Sequence, residues 1–159
     1  MMEPSPGLAH SVLILTSATL FWMALTDLKE FKIRNEFVLA LVGLFLVHSY
    51  VSGRWVEIHW HILLAAAALI FMLYWYAQRL MGGGDVKLLA VACLWAGPWA
   101  VAPFSILLVI FVGIHMLAVR MGWAAAQINE AGQKRIPLAP SVAGALIGIF
   151  MLGLLRPIG

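Results

Sequence analysis

"GGGDVKLLAVACLWAGP", Gly82 to Pro98, decides how this chain is read. Three glycines and an aspartate open an apolar run, and a Gly-Pro pair closes it. The 14 residues from Gly84 to Gly97 rise only about 21 Å as an α-helix, less than the roughly 30 Å hydrocarbon core of a bilayer. With the Gly-Pro pair turning at the outer surface, the glycine turn lies sunken beneath the inner one. Such a turn predicts positive φ values and close backbone approach, both of which glycine supplies.

Outward from this stretch the apolar pattern repeats. Runs cover about 8–25, 37–51, 58–76, 99–119 and 137–155, which with 86–96 makes six. The 159 residues are 64% hydrophobic and 11% charged, with a mean hydropathy of +0.98. Soluble domains carry about 25% charged residues. The expected fold is therefore an all-α membrane bundle of six transmembrane helices, one integral membrane domain over 1–159. The run at 8–25 reads as a retained helix, because "MMEPSPGLAHS" places Glu3 and no basic residue before it.

Lys29, Lys32, Arg34, Arg79, Lys87, Arg120, Lys134 and Arg135 fall on one side of that topology, and only Arg54 and Arg156 on the other. The positive-inside rule then places both termini outside. Trp22, Trp75 and Trp123 lie toward the inner interface, and Trp55, Trp60, Trp95 and Trp99 toward the outer, where tryptophan anchors helices in lipid headgroups. The net charge of +3 and pI near 9.4 thus read as orientation and contact with membrane lipids, not as nucleic-acid binding. Cys93, the single cysteine, excludes an internal disulfide and a CxxC zinc cluster, and reads as packing. Gly144 and Gly148 have the spacing of close helix contact.

Seven acidic residues occur, and Glu3, Glu30, Glu36, Glu57 and Glu130 sit in the tail or loops. Asp27 and Asp85 fall at the inner ends of neighbouring helices, where an ionisable residue is costly and signals function. Each alone also fits a bland role: Asp85 as the N-cap of the fourth helix, Asp27 as an interfacial loop residue. Together they form a candidate pair. Two carboxylates sharing a low-dielectric site do not both ionise easily, so one holds a proton while the other accepts one from water. That is the apparatus of an aspartic protease. Helix dipoles would leave the proton on Asp27, at a carboxyl end, and the charge on Asp85, at an amino end, although the two titrate jointly.

The motifs around both aspartates resemble the type IV prepilin peptidases, leader peptidases among the GxGD intramembrane aspartic proteases. "GGGD" at Gly82 to Asp85 fits GxGD, and "VKLLA" resembles the continuation of GxGDxKL. "DLKEFKIRN" gives Asp27, Ile33 and Asn35 at the offsets of a D-x5-I-P-N pattern, with Arg34 in place of proline. "RIPLAPSVAGAL" is similar to the family's proline-containing start of its last helix. The resemblance implies catalytic Asp27 and Asp85, with Gly82, Gly84, Lys87 and Asn35 as supporting motif positions. It further implies cleavage of short basic leaders from type IV pilin-like precursors at the cytoplasmic face of the bacterial inner membrane, with no metal or organic cofactor. Long members carry a cytoplasmic zinc domain with paired CxxC motifs and also methylate the new terminus. This chain resembles the short, peptidase-only type serving tight-adherence or Flp pili, and a homodimer is left open.

The remaining polar residues have plainer readings. Lys29, Lys32, Arg34 and Lys87 read first as positive-inside and lipid contacts, and second as partners for an acidic residue beside the cleavage point of a pilin. His59 and His61 stand on different helix faces, His48 lies late in the second helix, and His115 reads as an interhelical hydrogen bond. No HExxH stretch supports a metalloprotease, and Ser105 and Ser141 lack an evident base. Two rival functions stand beside the peptidase. One is a small transporter or proton channel using paired carboxylates, and the other a non-catalytic pilus assembly subunit.

Overall fold

The structure, a computed structural model, describes residues 6–123, 127–128, 134–135 and 137–155. Helices α1 (Pro6–Glu30), α2 (Asn35–Val51), α3 (Ile58–Ala77), α4 (Gly83–Arg120) and α5 (Ala139–Met151) follow in order, with a 3-10 turn at Trp55–Glu57 before α3. Between α4 and α5, β1 (Gln127–Ile128) and β2 (Lys134–Arg135) form a two-residue antiparallel ladder, Gln127 opposite Arg135. The expected tail residue Glu3, the loop residue Glu130 and Arg156 lie outside the described residues.

Gly97, at φ 63 and ψ 179, divides α4 into two limbs. The second limb runs back along α5: Leu107 meets Gly148 and Phe111 meets Gly144, so the chain reverses at Gly97. The six apolar runs of the sequence are therefore six helical segments. α1, α3 with its preceding turn, and α4 are each long and apolar enough to cross a membrane, while α2 and α5 are shorter apolar helices.

The first limb of α4 is the axis of the bundle. Every residue from Leu88 to Gly97 is buried, which is why this stretch is apolar all round with no polar face. α2, α3 and α5 pack against it, and α1 packs on α2 and α5. By contrast α3 buries only His61 and turns Leu63, Ile70, Phe71 and Leu73 outward. In lipid such exposure is not penalised, since bilayer tails are as apolar as leucine and helices associate by close packing. The small residues at Gly144 and Gly148 serve that packing: a Cβ there would come within 3.1 Å of Phe111 and Leu107.

Hydroxyls along the helices are satisfied locally. Ser11, Thr16, Ser17, Thr19 and Ser105 each donate to the carbonyl four residues back, which suits a segment that has no water to bond. Four helix ends close in one way. The residue after the cap takes a positive φ, and the next amide bonds back five residues, at Gly53, Arg79, Gly122 and Gly153.

Two expectations are corrected. The glycine triplet does not adopt positive φ, for Gly82 is extended at φ −76 and α4 begins directly at Gly83. The reversal before it is made by Arg79, at φ 60. Trp95 is not an interfacial anchor. It is 2% exposed, packs edge-on against Phe45 and beside Phe150, and donates from Nε1 to the Leu41 carbonyl at 3.0 Å. Trp22, Trp55, Trp60, Trp75, Trp99 and Trp123 remain exposed, as anchors are.

Candidate active site

One end of the bundle gathers the amino-terminal turns of α4 and α5 and the link from α1 to α2. Asp27 lies in the last turn of α1, where its own carbonyl accepts the Phe31 amide at 2.8 Å. Phe31 takes φ 51 and turns the chain out of the helix. The strand-like link that follows brings Ile33 against Gly84, where a Cβ would stand 3.1 Å from the Ile33 Cβ. Close approach therefore explains this glycine, and φ does not. Gly83 is looser, its added Cβ falling 3.4 Å from the Tyr76 ring.

Gly82 is the N-cap of α4, which puts Asp85 at the third helical position and not at the cap. An acidic residue in the first turn still suits the positive end of the helix dipole. Two residues on, Lys87 donates from Nζ to Asn35 Oδ1 at 3.1 Å. The two motif segments are thus joined twice, by Ile33 on Gly84 and by Asn35 with Lys87. Arg34, where proline was expected, pairs with Glu36 at 3.0 Å on the surface, and the backbone stays extended at φ −77, an angle proline also adopts.

Asp27 is 3% exposed and Asp85 half-buried, so the first carboxylate is the more enclosed of the two. Asp27 Oδ2 accepts the backbone amide of Ala139, the first residue of α5, at 3.1 Å. The sequence gives no side-chain signal for that contact, which spans 112 positions; only the prolines at 137 and 140 mark where such a helix start falls. It also alters the dipole argument. Asp27 stands at the carboxyl end of α1 and at the amino end of α5 together, so helix ends no longer favour it as the protonated member.

The opposite end holds a different polar group. Phe45, His48, Ser49, Arg54, Ile58, His61, Trp95 and Leu155 line a small, partly open pocket. His61 Nδ1 donates to the Leu94 carbonyl at 2.8 Å, the carbonyl that Pro98, lacking an N–H, leaves without its helical partner. Gly97 makes room, since any Cβ there would overlap the His61 ring. His48 and His61 meet here around Phe45 and Trp95. This cluster repairs a helix break, and Glu57 pairs with its Arg54 at 3.7 Å. The catalytic candidates are elsewhere, at the aspartate end. Among the described residues no group of three or more metal-ligating side chains assembles.

His115 does not form the expected interhelical hydrogen bond: its Nε2 is buried with no partner among the described residues. Lys29 and Lys32 are exposed, and Cys93 is buried as a packing residue.

A helical, multi-pass membrane chain with two carboxylates on adjoining motif segments defines an intramembrane class of protein. A model of the type IV leader peptidase family matches residues 14–118, which include both aspartates and all four supporting positions. The chain belongs to that family of peptidases. No curated protein and no solved structure matches it.

Proposed function

We propose that this chain is an aspartic endopeptidase of the bacterial inner membrane, with Asp27 and Asp85 acting on one shared water. One carboxylate takes a proton from the water as its oxygen attacks the scissile carbonyl carbon. The protonated partner donates to the carbonyl oxygen. Collapse of the tetrahedral intermediate then returns a proton to the departing amine, leaving a free acid and a new amino terminus. Six crossings with both termini outside set this site at the cytoplasmic face, where the basic leaders of type IV pilin-like, Flp-type precursors are presented. No cofactor enters the scheme.

The observation that carries the reading is the double joint between the motif segments, Ile33 on Gly84 and Lys87 with Asn35. It supports a common site for carboxylates 58 positions apart in an otherwise apolar bundle. Family membership supports the peptide bond as the target. The glycines allow close approach, and Lys87 and Asn35 hold the two segments in register.

Leader removal from a pilin-like precursor, in cells lacking other leader peptidases, tests this. Asp27→Asn and Asp85→Asn are each expected to abolish processing while the protein still accumulates in the membrane. Normal processing in both variants would exclude the aspartate mechanism. Processing lost together with a carboxylate-dependent ion flux in vesicles would favour a transporter.

A further inference from the structure

We propose that the backbone amide of Ala139 is a positioning group for Asp27, which makes the first turn of α5 part of the active site. The inference rests on the peptidase reading and extends it to a helix that the family match, ending at residue 118, does not reach.

The first-turn amides of α5 carry the argument. A helix leaves its first amides without intrahelical acceptors, and at a buried end each needs a partner. Pro140 at the second position has no N–H, and Ser141 and Val142 both donate back to the Leu138 carbonyl at 3.1 Å. Ala139 is then the first-turn donor that points out of the helix, and its acceptor is Asp27 Oδ2. Ala139 is fully buried and Asp27 nearly so, so water does not readily replace either partner. Leu138 itself offers no side-chain cap.

A carboxylate that accepts a rigid amide at a helix start is restrained in rotamer and supplied with partial positive charge. Both properties serve a residue that must meet a water in one orientation. The alternative is that Asp27 merely caps α5 for stability. The two differ in what removal of the N–H does to turnover.

Replacing Ala139 by lactic acid puts an ester at this position, which deletes the donor and also weakens the Leu138 carbonyl as acceptor for Ser141 and Val142. On a leader peptide substrate, kcat is expected to fall on the order of tenfold to a hundredfold, the range for a hydrogen bond to a charged group, with KM unchanged. Unchanged kcat in the ester variant would overturn the proposal, as would a loss carried wholly by KM. A second measurement needs no turnover. In isotope-labelled wild-type protein the Ala139 amide proton is expected far downfield, moving upfield in Asp27→Asn as the acceptor loses its charge. An amide signal indifferent to that substitution would overturn the proposal even if the ester variant fails to assemble. Absence of cleavage by the wild type, with the amide signal still sensitive to Asp27→Asn, would instead count against the peptidase reading.

Discussion

Gly83 and Gly84 are neighbours in one motif, and space treats them differently. At Gly84 a methyl group would press on Ile33 Cβ at 3.1 Å, and the link carrying Asn35 would have to move. At Gly83 the same methyl meets the Tyr76 ring at 3.4 Å, an ordinary contact. Gly84→Ala is accordingly expected to cut leader cleavage on the order of tenfold to a hundredfold, as small displacements of catalytic groups do. Gly83→Ala serves as the control and is expected to retain most activity; initial rates on a pilin-like peptide check both. His115 offers a prediction of opposite sign. Its buried Nε2 has no partner among the described residues, so His115→Leu removes an unmet polar atom. We expect stability unchanged or raised by about 1 kcal/mol, read from unfolding in mixed micelles. Both aspartates stand out in the sequence as candidates because acids are so scarce in apolar runs. The partner of Asp27 was not, because a backbone amide leaves no mark on residue identity.

At the scale of the element, α4 shows how a break is held together. Pro98 removes one donor, Gly97 takes a backbone angle that is essentially glycine's alone, and His61 from α3 supplies the lost hydrogen bond to Leu94. Gly97→Ala is expected to destabilise the bundle by at least about 3 kcal/mol, since it combines backbone strain with overlap of the His61 ring. Loss of folded protein in detergent on mild heating is the measurement. The "GP" pair gave away the position of this reversal, for its glycine frees φ and its proline interrupts the helical hydrogen bonds. Trp95 was misread for a reason of scale. A tryptophan near the end of an apolar run is usually a headgroup anchor, and only the three-dimensional crossing of α2 and α5 over this limb turns it into core.

For the molecule as a whole, the apolar runs foretold the helical segments closely because in lipid every backbone group must be satisfied within its own segment. Orientation rests on the asymmetry of basic residues, eight against two. Single cysteines in a Cys93→Ala background test it with a reagent that does not cross membranes. Replacements at Lys32 and Arg120 are expected to be protected from outside, and one at Arg54 to be labelled. Reversed labelling would place the aspartates on the outer face. The reversal at Gly97 also has a bearing on how this chain can change over time. Here two antiparallel limbs share a single hinge residue and no connecting loop, so an inserted amino acid has nowhere to be looped out. It would rotate everything downstream by about 100° and swing Leu107 and Phe111 off the glycines they cover. Surface loops can take up extra residues; this corner is fixed in length and, at Gly97, in identity as well.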